Sequence, residues 1–378
     1  MESRELWRRM VGHPMSAWRD AEDVALPPSL APGRLLWCGI GGSLLPADAL
    51  IQAFAGASLR QRWQPLASPE GNGLRLEPED QLVFASKSGR TLELWTWIGR
   101  LRAQNGWGRW HQAPIAITQD DQNPLAQLAR AEGWTLLPLP EAVGGRYSAF
   151  TAIGTLPLYW AGLEAPRFLS AAREVVAQTE EQSGLWGTRV WEMVATLTEG
   201  YLRGTDQWVL MPYATRLETV GAWWVQLVAE SLGKQAADGN RRGFTPIRAI
   251  GPQDQHAQLQ RWLDGPRNVG VVLVTVGHEH VAEPSDPPSQ CPFPGLGRWG
   301  GGDIVRAQAE GTREALEEAG IPVVHWHLET LDEASLGAFL MAWQLVVGLC
   351  GMALEVDPFD QPAVESGKRR TLLKLGIS

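Results

Sequence analysis

Short apolar runs that alternate with helical stretches constrain this chain more than any other feature. "RLLWCGI" (34–40), "QLVFAS" (81–86) and "APIAIT" (113–118) are apolar at nearly every position. A helical pattern follows each: through Phe54, from about Arg90 to Ala103, and after Asn123. A strand without polar–apolar alternation is covered on both faces. Strands separated by helices pair in parallel, because only a crossover brings the chain back to start in the same direction. The second half repeats the plan with "QWVLMP" (207–212), "PIRAI" (246–250), "VGVVLVTV" (269–276) and "IPVVHWHL" (321–328).

The expected fold class is therefore α/β: two similar doubly wound αβα sandwich domains with mainly parallel sheets. The expected division is an N-terminal helix and linker over 1–33, a first domain over 34–165, a second over 166–355 and a C-terminal helical tail over 356–378. "EAPRF" (164–168) is expected to hinge the halves. Residues 282–301, rich in Pro and Gly, should form a loop, and a long final helix should run from about Asp332 to Leu354.

Composition limits the function classes. Of the 378 residues, 44% are hydrophobic and 20% charged, a globular balance. The net charge of −9 argues against nucleic acid or an anionic membrane as the main partner. Cys38, Cys291 and Cys350 are scattered and odd in number, which suggests a reducing compartment. With no apolar leader and no stretch read as long enough to span a bilayer, the expected location is cytoplasmic. Arginine is the default cation; the only lysines are Lys87, Lys234, Lys368 and Lys374. A lysine in such a chain hints at a place needing a compact ammonium.

Candidate chemistry sits at strand-to-helix turns. "GIGGS" (39–43) brings Gly42 and Ser43 to a helix start, where backbone amides can approach an anion. It lacks the further glycine and the acidic residue of a dinucleotide fingerprint, so it is also compatible with a plain tight turn. "SKSGRT" (86–91) places the hydroxyls of Ser86, Ser88 and Thr91 beside Lys87, a set that suits a phosphate dianion. Ser88 or Thr91 as an ordinary helix cap, with Glu93 in the first turn, is the competing explanation. "VGGRYSAFTAIGTLPL" (143–158) puts Arg146 at the start of an apolar helix, where its fixed charge can hold an oxyanion or its stem can simply pack.

"AWWVQLVAESLGKQ" (222–235) is apolar on more than one side, yet carries Gln226 and Glu230 one turn apart. A carboxylate among apolar groups is costly unless paired or protonated. Lys234 follows it; a helix-end charge suffices to explain that residue. "GPQDQHAQLQ" (251–260) places His256 early in a helix after a strand, and "DQPAVESGKRR" (360–370) carries Gln361 and Lys368. His278/His280 and His325/His327 alternate along expected strands without a third ligand, so no metal site is assigned.

In this order the motifs "GIGGS", "SKSGRT", "GGRYSAFTAIG", "ESLGK", "DQH" and "DQPAVESGK" resemble those of the glucose-6-phosphate isomerase family, across roughly residues 36–368. The resemblance implies two sugar-isomerase (SIS)-type domains, a phosphosugar substrate bound between them and no metal or other cofactor. It implies interconversion of glucose 6-phosphate and fructose 6-phosphate through an enediolate. Glu230 would be the base that moves a proton between C1 and C2, and Arg146 would stabilise the enediolate. His256 and Lys368 would serve ring opening. Ser86, Lys87, Ser88 and Thr91, with Gly42 and Ser43, would hold the phosphate; Gln226 and Gln361 would line the sugar. A homodimer with shared active sites is also implied, the histidine entering from the neighbouring subunit. Gly89, Arg90, Leu94 and Ala363 depart from the family's usual pattern. The rival functions are a dual phosphoglucose/phosphomannose isomerase and a non-catalytic phosphosugar-sensing module. A sensor has no need of Glu230, Arg146, His256 and Lys368 together.

Overall fold

The structure, a computed structural model, describes residues 2–70, 73–105, 112–119, 122–277 and 286–377. Five strands form the first sheet: β1 (Leu35–Cys38), β2 (Trp63–Leu66), β3 (Gln81–Ala85), β4 (Ile115–Thr118) and β5 (Thr135–Pro138), in the order β2-β1-β3-β4-β5. The second half contains β6 (Gln207–Pro212), the small hairpin of β7 (Lys234–Gln235) and β8 (Arg241–Arg242), then β9 (Thr245–Arg248), β10 (Val269–Val276) and β11 (Val323–Leu328). Its main sheet runs β11-β10-β6-β9. Every pairing within the two large sheets is parallel.

Successive strand residues feed opposite faces, as the pleat requires. Leu35, Trp37, Val83 and Ile117 pack with Ala47, Ile51 and Ile153 from the helices Leu45–Phe54 and Ala152–Trp160. Leu36, Cys38 and Phe84 point the other way, against Leu94, Trp97 and Leu125. In the second sheet, Val209, Met211 and Val271 meet Trp262 and Leu316 on one face. Trp208, Leu210 and Val272 meet Trp224, Leu227 and Trp343 on the other. Each such buried side chain contributes roughly 1.5–3 kcal/mol relative to exposure. Two αβα sandwiches are thus observed.

They are not separate cores. Leu50, Tyr147 and Phe150 from the first half share one cluster with Trp224, Leu227 and Trp343 from the second. The helix Leu45–Phe54 lies against the helix Glu218–Leu232. That shared face places the turns after β1 beside the helix that carries Glu230.

Several expectations need correcting. "EAPRF" is no hinge: Ala165–Glu181 is one helix with Pro166 in its first turn, and Phe168 is fully buried. Residues 1–33 are more than a helix and linker, since Met10 and Trp18 enter the shared core. Strands β2 and β5 were not foreseen. The helix Glu333–Ala353 is long and apolar enough to cross a bilayer by length and composition, contrary to the sequence reading. Nearly all of it is buried in protein, packed against the helices Ala165–Glu181 and Gly184–Leu202. Of the expected loop 282–301, residues 282–285 lie outside the described residues, as do His278 and His280.

That packing is tight at Gly337, where an added Cβ would stand 2.4 Å from the Phe168 carbonyl oxygen. Gly337→Ala forces two long helices apart and is expected to destabilise the protein by about 1–3 kcal/mol. The check is a lower urea midpoint with an unchanged denaturant slope.

Candidate active site

The first half contributes three turns. The turn after β1 is a short 3-10 segment, Gly41–Ser43, fixed when the Trp37 indole donates to the Ser43 carbonyl at 2.7 Å. Next to it in the sheet, the turn after β3 carries the serine loop, so the two turns leave adjacent strand ends. Within the loop the Ser86 and Thr91 hydroxyls lie 2.8 Å apart. The Ser88 hydroxyl accepts from the Arg90 amide at 3.3 Å. Lys87 donates to the Glu141 carbonyl at 2.8 Å, and burial lowers its pKa. Gly89 has φ +62 and rests against Asn123, a position that only glycine fills without strain. Leu94, one of the departures from the family pattern, is a core residue.

The third turn is the 3-10 helix Gly145–Phe150, whose second residue is Arg146. It is locked onto the first turn: Ser148 Oγ donates to the Gly42 carbonyl at 2.7 Å, and a Cβ on Gly42 would stand 2.1 Å from the Gly145 carbonyl oxygen. Any side chain at Gly42 would therefore push Arg146 out of place.

The second half contributes the helix Glu218–Leu232. Trp223, Trp224, Leu227 and Val228 are fully buried on its core side. Gln226 and Glu230 lie on another side, toward the turns of the first half. A Cβ on Gly41 would touch Gln226 Nε2 at 2.7 Å. Gln226 Nε2 donates to Glu230 Oε1 at 3.0 Å, so this glutamine orients the carboxylate. Glu230 Oε2 is 3.6 Å from Arg146 Nη1, with the arginine side chain 2% and the glutamate 29% exposed. The expected apolar enclosure of Glu230 is thus wrong. Its surroundings are polar and ionic, and it opens to solvent.

Arg146 is the most constrained group in the cluster. Its Nε–H donates to Ser231 Oγ at 2.7 Å. Its Nη2 donates to the carbonyls of Pro358 at 2.5 Å and Asp360 at 2.8 Å. Only the Nη1 edge is turned toward Glu230. Tyr147 OH lies 3.1 Å from the same Ser231 hydroxyl, and burial pushes this phenol up to about 12. Ser231, Tyr147 and the Pro358–Asp360 carbonyls were not foreseen. The only sequence signal for the first two is adjacency to Glu230 and Arg146.

The candidates do not all converge. Gln361 is exposed but directly follows Asp360, so it borders the cluster. His256 lies on the helix Gln253–Asp264, which packs through Trp262 on the opposite face of the second sheet from the Glu230 helix. Lys368 lies on the helix Glu365–Lys374, none of whose residues is buried, and donates to Glu365 at 2.7 Å. Within one chain, then, neither His256 nor Lys368 joins Glu230.

A cavity of about 520 Å³ lies elsewhere, at the C-terminal ends of β6 and β10, lined among others by Tyr213, Thr275, His325 and His327. Thr275 Oγ1 is 2.7 Å from His325 Nε2 and 2.9 Å from His327 Nδ1. Desolvation and its neighbour His327 lower the His325 pKa. Among the described residues no group of three His, Cys, Asp or Glu is arranged to hold a metal ion.

No family model matches the chain. The glucose-6-phosphate isomerase of Rubrobacter xylanophilus is 34% identical over 309 residues, covering 80% of this chain and 70% of that protein. A glucose-6-phosphate isomerase of Thermus thermophilus is 34% identical over 359 residues, covering 89% of this chain and 82% of that protein. Among solved structures, a hypothetical protein from Thermus thermophilus matches with a TM-score of 0.84 at 28% identity, covering 99% of this chain and 94% of that chain.

Ser231 tests the cluster directly. Ser231→Ala leaves the buried Nε–H of Arg146 and the Tyr147 hydroxyl without this partner, a loss of about 1–3 kcal/mol. Chemical denaturation should show that loss.

Proposed function

The chain belongs to the glucose-6-phosphate isomerase family, and from that premise we propose how its residues work. The reaction is the reversible aldose–ketose isomerisation of glucose 6-phosphate and fructose 6-phosphate. The observation that carries the mechanism is the pairing of Glu230 with the free edge of Arg146 where the two halves meet.

The substrate's phosphate end is assigned to the turn after β3, with Ser86, Lys87, Ser88 and Thr91, beside Gly42 and Ser43. Anchoring that end lets binding energy orient the reacting carbons. Glu230 takes the proton from C2 of the open-chain aldose, or from C1 of the ketose, and returns it to the neighbouring carbon. The negative charge that develops on the enediolate oxygens meets the Nη1 edge of Arg146. An arginine with its other donors already fixed needs no reorganisation to do this, and such a donor is worth about 3 kcal/mol of barrier. Gln226 and Gln361 border the sugar, Gln226 also orienting Glu230.

Ring opening needs an acid and a base at the ring oxygen. His256 and Lys368 are proposed for this step. Their placement away from Glu230 in one chain supports a homodimer in which the partner subunit supplies the histidine. For Lys368 the exposed tail helix must approach the site from this chain or its partner. All three cysteines are unpaired, which is consistent with the proposed cytoplasmic setting.

Purified protein is expected to isomerise fructose 6-phosphate in a coupled assay with chelator present, and no turnover with chelator or with divalent ions would sink the reading. Glu230→Gln should lower kcat by about 10²–10⁴-fold, with KM little changed. A variant that retains wild-type kcat would remove Glu230 as the base.

A further inference from the structure

Lys234 ends the "ESLGK" stretch, two residues beyond the helix that carries Glu230, in β7. Its side chain is 11% exposed. The ammonium donates to the carbonyl of Asp357, to the carbonyl of Asp360 at 2.5 Å and to the Asp360 carboxylate. Arg146 binds the same turn, through the carbonyls of Pro358 and Asp360. The Asp360 carbonyl thus accepts from both cations. Two like charges on one carbonyl repel, and the carboxylates of Asp360 and, to a smaller extent, Asp357 offset this. The β8 residue Arg242 holds the chain just before that turn, donating to the Leu354 carbonyl at 2.8 Å and pairing with Glu355 at 2.7 Å.

A turn's carbonyls can aim a guanidinium only if the turn itself is fixed. We propose that Lys234 is a positioning residue for the isomerisation: by clamping Asp357 and Asp360 it sets the carbonyls that hold Arg146 Nη2, and so turns the Nη1 edge toward the enediolate. The inference rests on the reading of Glu230 and Arg146 given above. It accounts for a lysine in an arginine-rich chain. Three acceptors converging on one nitrogen match a compact ammonium with three donors, whereas a planar guanidinium presents its donors in a fork. Lys234 touches no reacting atom in this account, and it is placed at the Arg146 end of the cluster, away from the serine loop.

The test compares wild-type, Lys234→Met, Lys234→Arg and Lys234→Gln proteins, each checked for native circular dichroism and assembly state. The measurements are kcat and KM for fructose 6-phosphate, and inhibition by a five-carbon phosphosugar acid whose carboxylate mimics the enediolate. Lys234→Met should lower kcat about tenfold to a hundredfold with KM little changed. It should weaken the acid's inhibition by the same factor, since both report stabilisation of the enediolate. Lys234→Gln, which keeps a donor, should fall between, and it carries the test if Lys234→Met does not fold. Lys234→Arg should not restore full activity. Unchanged kcat in the folded variants overturns the proposal. So does a fall in kcat with wild-type affinity for the acid, because that pattern means only fewer working molecules. An inactive wild type would instead remove the isomerase reading itself.

Discussion

A buried guanidinium without partners is among the least tolerable groups in a folded protein, and Arg146 is almost completely buried. Its contacts therefore dictate where other segments must lie. Ser231 comes from the end of the Glu230 helix and the carbonyls of Pro358 and Asp360 from the turn after the last core helix, while the arginine itself belongs to the first half. One side chain thus ties three distant segments together. The shared apolar core beneath it, with Tyr147, Trp224 and Trp343, makes the junction rigid. The chemistry proposed for this site uses the one edge of this group that the scaffold leaves turned toward Glu230.

The same logic explains the glycine turns. Gly42 is small because the Gly145 carbonyl passes where its side chain would be, and Gly41 because Gln226 lies against it. Motifs that look independent in the sequence are three sides of one contact. A side chain at Gly41 or Gly42 would displace Gln226 or the Gly145–Arg146 backbone, and so disturb the surroundings of Glu230.

How far the sequence carries the account depends on the kind of residue. The central strands β1, β3, β4, β6 and β10 were legible because continuous apolar runs have few other uses. The edge strands β2 and β5 were not: they are covered less completely and contain Pro65 and Pro138, which an edge tolerates. The division into two separate sandwiches missed a core that joins them, since burial patterns show which face is covered but not by what. Arg146, Glu230 and Gln226 were picked out from their motifs, and the structure brings their side chains together. The polar surroundings of Glu230 were not, because its ionic partner lies far away in the chain. Ser231 carried no signal beyond its neighbours and Lys234 only the rarity of lysine in this chain, and the roles proposed for them follow from what their side-chain atoms touch. His256 and Lys368 were assigned by motif, and their positions on the far face and on an exposed tail follow from the fold.

Glu230 is proposed to carry a proton between adjacent carbons at the Arg146 edge, where that proton can exchange with solvent. The direct measurement is isomerisation in heavy water, followed by NMR at C2 of the glucose 6-phosphate formed. Over repeated turnovers this account predicts the accumulation of a single deuterium at C2. Retention of the original hydrogen through many interconversions would contradict it, since a hydrogen passed directly from carbon to carbon never reaches a carboxylate.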